Sequence, residues 1–227
     1  MKKLGLIGGL GPEATVLYYQ GIVAAFKPTF TETGNPEIVI DSVDLKRFME
    51  MTEDWQDVAQ ALVEHFNALK AAGAQVGAIC SNTPHMVFDE IQQAINLPLI
   101  SIVQATCSHA MAMGVRRPLL LGTQFTMQSS FYVDIFRHSG MEVIVPSRRD
   151  MAWIHRKIFS EIEFGIINNA TQRGFLEIIN RAESDQEIDG VILGCTELPL
   201  ILSQKDAALP LLNTTAIHID ALVKAIQ

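Results

Sequence analysis

Short apolar runs alternate with longer amphipathic stretches along the whole chain. In the first half the apolar runs are "LGLIGG", "EIVIDSV", "VGAIC" and "LPLISIV", and stretches with a helical pattern follow them at 12–26, 55–72, 84–94 and 104–113. Strand-length runs that alternate with helical patterns indicate βαβ units and a parallel sheet. The pattern therefore predicts an α/β fold.

The same order begins again in the second half. "RPLLLGT" precedes a helical pattern at 126–139, "MEVIVP" precedes one around 151–164, "DGVILGC" precedes a short helix, and "LPLLNTT" leads into a final helix to about residue 226. We predict two pseudo-symmetric lobes, each with a parallel sheet flanked by helices. Because ligands of open parallel sheets bind beyond the carboxyl ends of the strands, we expect the active site in the cleft between the lobes.

Composition narrows the class of protein. Hydrophobic residues make up 48% of the 227 positions and charged residues 19%, which is typical of a globular protein with a large core. The net charge is −8 and no basic stripe is present, so we expect neither nucleic acid nor an anionic membrane as a partner. The segment "MKKLGLIGGLGPE" reaches glycine and proline too early for a secretory apolar core, and no apolar run approaches ~18 residues, so we expect a cytoplasmic protein.

The segment "GGLGPEAT" joins the first strand to the first helix. Exposed N–H groups at such a helix start suit a carboxylate or a phosphate, which makes Gly9 and Gly11 candidate substrate-binding residues. Gly9, Gly11 and Ala14 also satisfy a loose dinucleotide fingerprint, but its acidic partner, Asp41, comes much later than the ~20 residues expected. An anion-binding turn is favoured over nicotinamide binding.

The three cysteines differ in their local patterns. Cys80 ends an apolar strand and Cys107 lies in a helical pattern of small and apolar residues, so both are interpreted as core residues. Cys195 also ends a strand, but Thr196 and Glu197 follow it and can cap a helix whose dipole would lower the pKa of the thiol. We predict that Cys195 is the reactive cysteine.

Threonine and asparagine clusters follow several strands. Thr123 and Thr126 in "GTQFT" could hold a carboxylate, although turns and helix caps use the same residues. In "SNTPH", Asn82 or Thr83 is a candidate N-cap, with Pro84 at the helix start.

The six histidines show no metal-binding spacing, so we expect no metal site. His85 lies beside the proposed cleft and is the histidine most expected to be functional. His109 and His155 are interpreted as surface or packing residues of helices. The role of His218 stays open.

Four segments, "LGLIGGLGPEATVLYY", "SNTPH", "LLGTQFTMQSSFY" and "VILGCTELP", resemble the aspartate/glutamate racemase family in their order and distances. The resemblance runs from Leu4 to about His218. It implies a cofactor-independent racemase of an amino acid, two lobes and a homodimer. It also implies that the last helix returns to the first lobe, so the lobes would be residues 1–103 with 214–227 and residues 104–213.

Family members hold the amino acid between two cysteines that act as bases on opposite faces of the α-carbon. In this chain Cys195 matches the second cysteine, but Ser81 stands in the place of the first, and Cys80 is displaced by one position. A shift of one residue turns a side chain to the opposite face. The hypothesis is that Cys195 is the main base and that Ser81, or a water it holds, returns the proton. The candidate substrate-binding residues are Gly9, Gly11, Asn82, Thr83, Thr123, Thr126, Thr196 and Glu197.

The identity of the substrate is less well determined. Family members that take aspartate hold its distal carboxylate with basic residues, for which Lys46 and Arg47 are candidates here. Glu163, however, stands where a second-lobe lysine would be expected, and it would repel a carboxylate unless it and Glu161 are solvated. A single-cysteine decarboxylase or cis–trans isomerase of small dicarboxylates, and a catalytically impaired ligand-binding homologue, stay open as alternatives.

Overall fold

A computed structural model describes the main chain of residues 1–227 and every side chain except that of Pro12. The chain divides into two compact units, residues 1–105 with 215–227 (the first unit) and residues 106–214 (the second unit). Among the described residues, none of the helices combines the length and the apolar character needed to cross a membrane.

The first unit is built on three parallel strands in the order β2-β1-β3. Its elements are β1 Leu4–Gly8, α1 Pro12–Phe26, α2 Phe30–Thr33, β2 Ile38–Ser42, α3 Leu45–Met51, α4 Trp55–Ala71, β3 Val76–Ile79, α5 Phe88–Ala94, the first part of α6 Ile102–Ala112 and nearly all of α11 Thr214–Ile226. A 3₁₀ helix, Thr83–Val87, joins β3 to α5.

Strand β1 is the centre of this unit because side chains on both of its faces are buried. Leu4 and Leu6 pack with Tyr18 of α1 and Leu222 of α11. Ile7, on the opposite face, packs among residues of α4 and α5. The alternation of side chains along a strand thus produces a sheet covered by helices on both sides.

The second unit repeats this plan with the strand order β4-β5-β6, again parallel. Its elements are β4 Pro118–Leu121, α7 Gln124–Gln128, α8 Phe131–His138, α9 Arg148–Ser160, α10 Asn169–Gln186, β5 Gly190–Leu193 and β6 Leu211–Asn213. Short 3₁₀ helices occur at Ile162–Phe164 and Leu198–Leu200. The predicted α/β class with two similar lobes is confirmed.

Local sequence explains where the long helices of this unit begin. The side chain of Ser147 accepts the N–H of Asp150 at the start of α9, and that of Asn168 accepts the N–H of Ala170 at the start of α10. Helix α10 then buries one stripe of side chains against the core. The stripe consists of Thr171, Phe175, Ile178, Ile179 and Ala182.

Several predicted elements differ in the structure. The pattern at 126–139 is two helices, α7 and α8, because the backbone at Ser129 is extended and ends α7. "LPLISIV" and "MEVIVP" form only isolated bridges, Gly77 with Leu99 and Leu119 with Ile144. The helix expected at 84–94 is a 3₁₀ helix followed by α5. The helix expected at 151–164 is α9 followed by the 3₁₀ helix Ile162–Phe164. Helix α10 was not predicted.

Candidate active site

Cys195 lies just beyond the carboxyl end of β5, in a tightly packed segment of the second unit. The preceding residue, Gly194, donates its N–H to the carbonyl of Leu121 at 2.7 Å. A Cβ atom at Gly194 would lie 2.9 Å from that same oxygen, so a larger residue does not fit there. Cys195 itself is buried and belongs to the hydrophobic core of the unit. The thiol is therefore held on a rigid part of the fold.

The thiol of Cys195 donates a hydrogen bond to a buried carboxylate. Its Sγ lies 3.0 Å from Oε2 of Glu197, and the hydroxyl of Thr196 donates to the same oxygen at 2.7 Å. All three side chains are at least nine-tenths buried. A carboxylate so close to a thiol is suited to accept the proton of that thiol.

The electrostatics of Cys195 differ from the sequence prediction. Burial raises the pKa of the Cys195 thiol well above its ordinary value, and the negative charges of Glu197 and Glu163 raise it further. The backbone N–H of Glu197 lowers the pKa, as a helix start would, but only the short 3₁₀ helix Leu198–Leu200 follows and the net shift is upward. The prediction of a lowered pKa was therefore wrong, and the resting group is a thiol paired with a carboxylate.

Glu161 and Glu163 have different environments. Glu161 is partly buried, pairs with Lys157 and accepts the hydroxyl of Thr171. These contacts, that with Lys157 first, lower the pKa of Glu161. Glu163 is exposed, yet it is near enough to Cys195 to raise the pKa of the thiol. Glu163 thus adds negative charge near this thiol.

Thr123 and Thr126 are occupied by helix capping. The side chain of Thr123 accepts the N–H of Thr126 at the start of α7, and the two hydroxyls lie 3.2 Å apart. His155 of α9 supports the same turn, since its Nδ1 accepts the N–H of Gln124 at 3.3 Å. The structure thus shows the capping role that sequence left open for the two threonines, and adds a role for His155.

In the first unit, Ser81 follows β3 and the buried residue Cys80. Cys80 is 1% exposed among core residues, and burial raises the pKa of its thiol, so its predicted structural role is confirmed. Ser81 is half-buried. Asn82 is buried and occupies the N-cap position of the 3₁₀ helix, one of the two candidates predicted, although its side chain makes no capping hydrogen bond. Ser81 and Thr83 each carry a hydroxyl and are half-buried; Thr83 begins the 3₁₀ helix, whereas Ser81 lies in the loop between it and β3.

Two buried histidines lie beneath this loop. Nε2 of His85 accepts the N–H of Ile102 at 3.2 Å. His218 of α11 is bonded at both nitrogens, Nδ1 to the hydroxyl of Tyr18 at 2.7 Å and Nε2 to the carbonyl of Ile100 at 2.9 Å. Burial is the main cause that lowers the pKa of His85 to about 3 and that of His218 to about 4. Both imidazoles are therefore neutral at physiological pH.

In the glycine loop after β1, one of the N–H groups considered for an anion is bonded within the turn. Gly9 has a φ of +82°, and its N–H is donated to the hydroxyl of Thr15 at 2.9 Å. That hydroxyl in turn donates to the carbonyl of Gly11, the residue before α1. The expected free N–H at Gly9 is thus already bonded within the turn, because Thr15 of the helix reaches back to it.

The residues considered for a distal carboxylate or a dinucleotide lie near the end of β2 and in α3, the helix that follows it. Asp41 is hydrogen-bonded to Nδ1 of His65 at 2.8 Å. Arg47 borders a cavity of about 310 Å³ together with Asp44 and His65. Lys46 is exposed, with Glu50 at 4.0 Å. This edge of the first unit therefore carries both signs of charge.

The remaining predictions concern residues away from these loops. Cys107 is buried on α6 as predicted, with its Sγ 3.3 Å from the hydroxyl of Ser139. His109 is exposed on the same helix, as predicted. Among the described residues, no group of three His, Cys, Asp or Glu side chains is arranged to hold a metal ion.

Comparison with known proteins agrees with this architecture. The family model described as Asp/Glu/Hydantoin racemase matches residues 7–222. The crystal structure of an aspartate racemase homologue from Pyrococcus horikoshii is 37% identical, with a TM-score of 0.88 and coverage of 100% of this chain and 99% of that chain. The broad specificity amino-acid racemase of Bacillus subtilis is 23% identical over 94% of this chain and 93% of that protein.

A more distant structure shows the same fold. The aspartate racemase of Picrophilus torridus is 22% identical, with a TM-score of 0.77 and coverage of 100% of this chain and 94% of that chain. With a family model that spans nearly the whole chain, these likenesses are decisive. The chain belongs to the Asp/Glu/Hydantoin racemase family and has its two-lobed α/β fold.

Proposed function

We propose that the protein is a cofactor-independent amino-acid racemase in which Cys195 is the main base and Ser81 works from the other face of the α-carbon. The observation that carries the proposal is the hydrogen bond from the Cys195 thiol to Glu197. A thiol with a raised pKa is a poor base until its proton is removed, and the buried carboxylate provides an acceptor at 3.0 Å.

The proposed reaction is a series of proton transfers that leaves both bases as they began. The Sγ proton of Cys195 moves to Glu197, and the thiolate then takes the α-proton of the amino acid. Ser81, or a water it holds, delivers a proton to the opposite face of the resulting carbanion. Glu197 releases its proton to solvent and solvent restores the proton of Ser81, so the reaction inverts the α-carbon and incorporates one solvent hydrogen.

The two bases are unequal in this proposal. A hydroxyl is a much weaker acid than a thiol and needs help to exchange its proton. We therefore expect a higher kcat for the enantiomer whose α-proton faces Cys195. The two values of kcat/KM stay nearly equal, because enantiomers have an equilibrium constant of about one.

Aspartate is not singled out as the substrate. Two carboxylates, Glu197 and Glu163, act on Cys195, and like charges repel a second substrate carboxylate. The Bacillus subtilis relative, moreover, is named for its broad specificity. We propose amino acids as a class, with neutral side chains preferred over acidic ones.

The test is a screen of L- and D-amino acids in deuterated water without added cofactor, followed by NMR for loss of the α-proton and by chiral chromatography. Exchange together with inversion supports the proposal. Exchange and inversion absent for every amino acid would refute it, and parallel incubations with a disubstituted malonate and with maleate would then identify a decarboxylase or a cis–trans isomerase. Stabilisation by an amino acid without exchange would identify a binding protein.

The proposal also covers the oligomeric state of the protein and its cellular compartment. We propose a homodimer, which light scattering after size-exclusion chromatography can test. The three free cysteines suit a reducing compartment, and we propose the cytoplasm.

A further inference from the structure

His85 lies four positions after Ser81, on the 3₁₀ helix that follows the Ser81 loop. Its ring is buried, stacks on Phe88 with a centroid distance of 5.1 Å and an interplanar angle of 7°, and meets His218 edge-on at 6.3 Å. These contacts and burial favour one orientation of the imidazole. It acts from the position in which it is packed.

The hydrogen bond at one ring nitrogen fixes the proton at the other. Nε2 accepts the N–H of Ile102, the first residue of α6, so it carries no proton. In a neutral imidazole the proton is then on Nδ1. His85 is thus an acceptor towards α6 and a donor at Nδ1.

The backbone of Ser81 and Asn82 lies near the His85 ring. Nδ1 is the ring nitrogen nearer the residue's own main chain, which here is the turn after Ser81. The backbone groups of Asn82 and Ser81 favour the protonated form of the ring, which is the effect of nearby carbonyl oxygens. Nδ1 is buried and forms no hydrogen bond of good geometry with any described residue. A buried donor left in this state is uncommon and calls for a functional explanation.

A role as general base is excluded by the chemistry of this ring. With Nδ1 already protonated and Nε2 occupied by Ile102, neither nitrogen can take a proton from Ser81. The low pKa of His85, about 3, points the same way. The remaining role for the His85 side chain is to hold the backbone of the Ser81 loop in place.

We infer that His85 is a positioning residue, which links the Ser81–Asn82 backbone through its Nδ1–H to the start of α6 through Nε2 and so fixes the direction of the Ser81 side chain. His218 is the contrasting case, because both of its nitrogens are bonded away from this loop. The inference that this affects proton return rests on the proposed racemase function, whereas the link itself does not.

Two substitutions of His85 test the roles of its two ring nitrogens separately. His85→Gln keeps an acceptor at the place of Nε2 and loses the donor at Nδ1, whereas His85→Asn keeps a donor near Nδ1 and loses the acceptor. His109→Gln, on the exposed face of α6, is the matched control. The first readout is backbone hydrogen exchange by mass spectrometry, which requires no activity.

His85→Gln is expected to speed amide exchange in 81–87 about fivefold and to leave 102–105 unchanged, and His85→Asn is expected to do the reverse. Equal changes in both segments for both variants, or unchanged 81–87 in His85→Gln, would overturn the inference. If a variant fails to fold, ¹H–¹⁵N correlation of the wild-type imidazoles still decides, because an Nε2–H tautomer of His85 could not donate from Nδ1.

The second readout concerns the reaction. His85→Gln is expected to lower the ratio of inversion to α-proton exchange about tenfold, because exchange on the Cys195 face does not need Ser81. His85→Asn should leave this ratio within about threefold of wild type. A purely structural role would lower inversion and exchange together and overturn the inference. If wild type exchanges no amino acid at all, the proposed function fails, and the backbone measurement still judges His85.

Discussion

Cys195 and Cys80 both end buried strands, and their neighbours distinguish them. Cys80 packs only among core side chains, whereas Cys195 donates to Glu197. The raised pKa of Cys195 makes the carboxylate essential to the proposal, since the thiol does not ionise by itself near neutral pH. Reactivity at this position thus depends on the pair of residues.

Glu197→Gln tests the pair. Glutamine keeps the size and a hydrogen-bond partner for the thiol but cannot take its proton, so the rate of α-proton exchange should fall about 100-fold. Thr196→Val is the control, because it removes the other donor to the same oxygen and leaves the carboxylate in place. An unchanged exchange rate in Glu197→Gln would show that the carboxylate is not the proton acceptor.

Glu163→Lys tests the charge near the thiol. Replacement of the negative charge by a positive one should raise kcat/KM for aspartate relative to alanine about fivefold, the size expected for an exposed charge. Substrate competition in one reaction mixture measures this ratio directly. Glu177→Lys, on α10, makes the same charge change as a control. Equal ratios in wild type and Glu163→Lys would contradict the proposed charge effect.

Sequence patterns predicted the positions of the candidate residues Cys195 and Ser81 better than they predicted their surroundings. Cys195 and Ser81 were predicted at the ends of strands, and each is found there, because such positions follow directly from apolar runs. The hydrogen bond between Cys195 and Glu197 was not predictable, since a sequence pattern does not report how the side chains of two nearby loop residues turn. Tyr18 and His218 meet across 200 positions of the chain, which no local pattern reports.

Among the elements, the turn between β1 and α1 shows the strongest backbone constraint. Gly9 has a positive φ, and a Cβ there would overlap the carbonyl oxygen of Val43. Gly34 also has a positive φ, +69°, but its Cβ would meet no atom within 4 Å. An alanine at Gly34 would therefore meet only conformational strain, whereas an alanine at Gly9 would meet both strain and steric overlap.

Gly9→Ala should lower the free energy of unfolding by about 3 kcal/mol or more, against about 1 kcal/mol for Gly34→Ala. Urea unfolding of both variants measures the difference. Similar losses in the two variants would mean that the turn after β1 relaxes to accommodate the added methyl group.

Some predicted elements differ from those of the structure, for three different reasons. Ser129 breaks the helix expected at 126–139, and its hydroxyl donates to the carbonyl of Phe125 instead. The edge segments after β3 and β4 form single bridges, although their apolar composition is that of strands. Helix α10 has a clear helical spacing of buried residues, so its signal was present and was missed.

At the scale of the whole molecule, the two buried histidines couple stability to pH. The pKa of His85 is about 3 and that of His218 about 4 in the folded protein, against 6.5 for a free histidine. Below pH 6.5 the unfolded chain therefore binds protons that the folded protein does not. Their contribution to stability is fully present above pH 6.5 and is lost as pH falls towards about 4 for His218 and about 3 for His85.

Each histidine should contribute a slope of up to about 1.4 kcal/mol per pH unit in this window. His218→Gln should unfold more easily at about pH 7 than wild type but should lose less stability between about pH 6 and about pH 4.5. Urea unfolding at several pH values measures the slopes, with the exposed His138→Gln as control. Identical slopes for wild type and His218→Gln would contradict the assignment of a buried neutral imidazole.

The most direct measurement of the central claim compares α-proton exchange in deuterated water for wild type, Cys195→Ala and Cys80→Ala, with the amino acid that wild type exchanges fastest. Because the thiol of Cys195 is proposed to take the α-proton, Cys195→Ala should lose exchange at least about 1,000-fold. Cys80→Ala, which shortens a buried side chain, should keep most of it once folded. Exchange at the wild-type rate in Cys195→Ala would contradict the account.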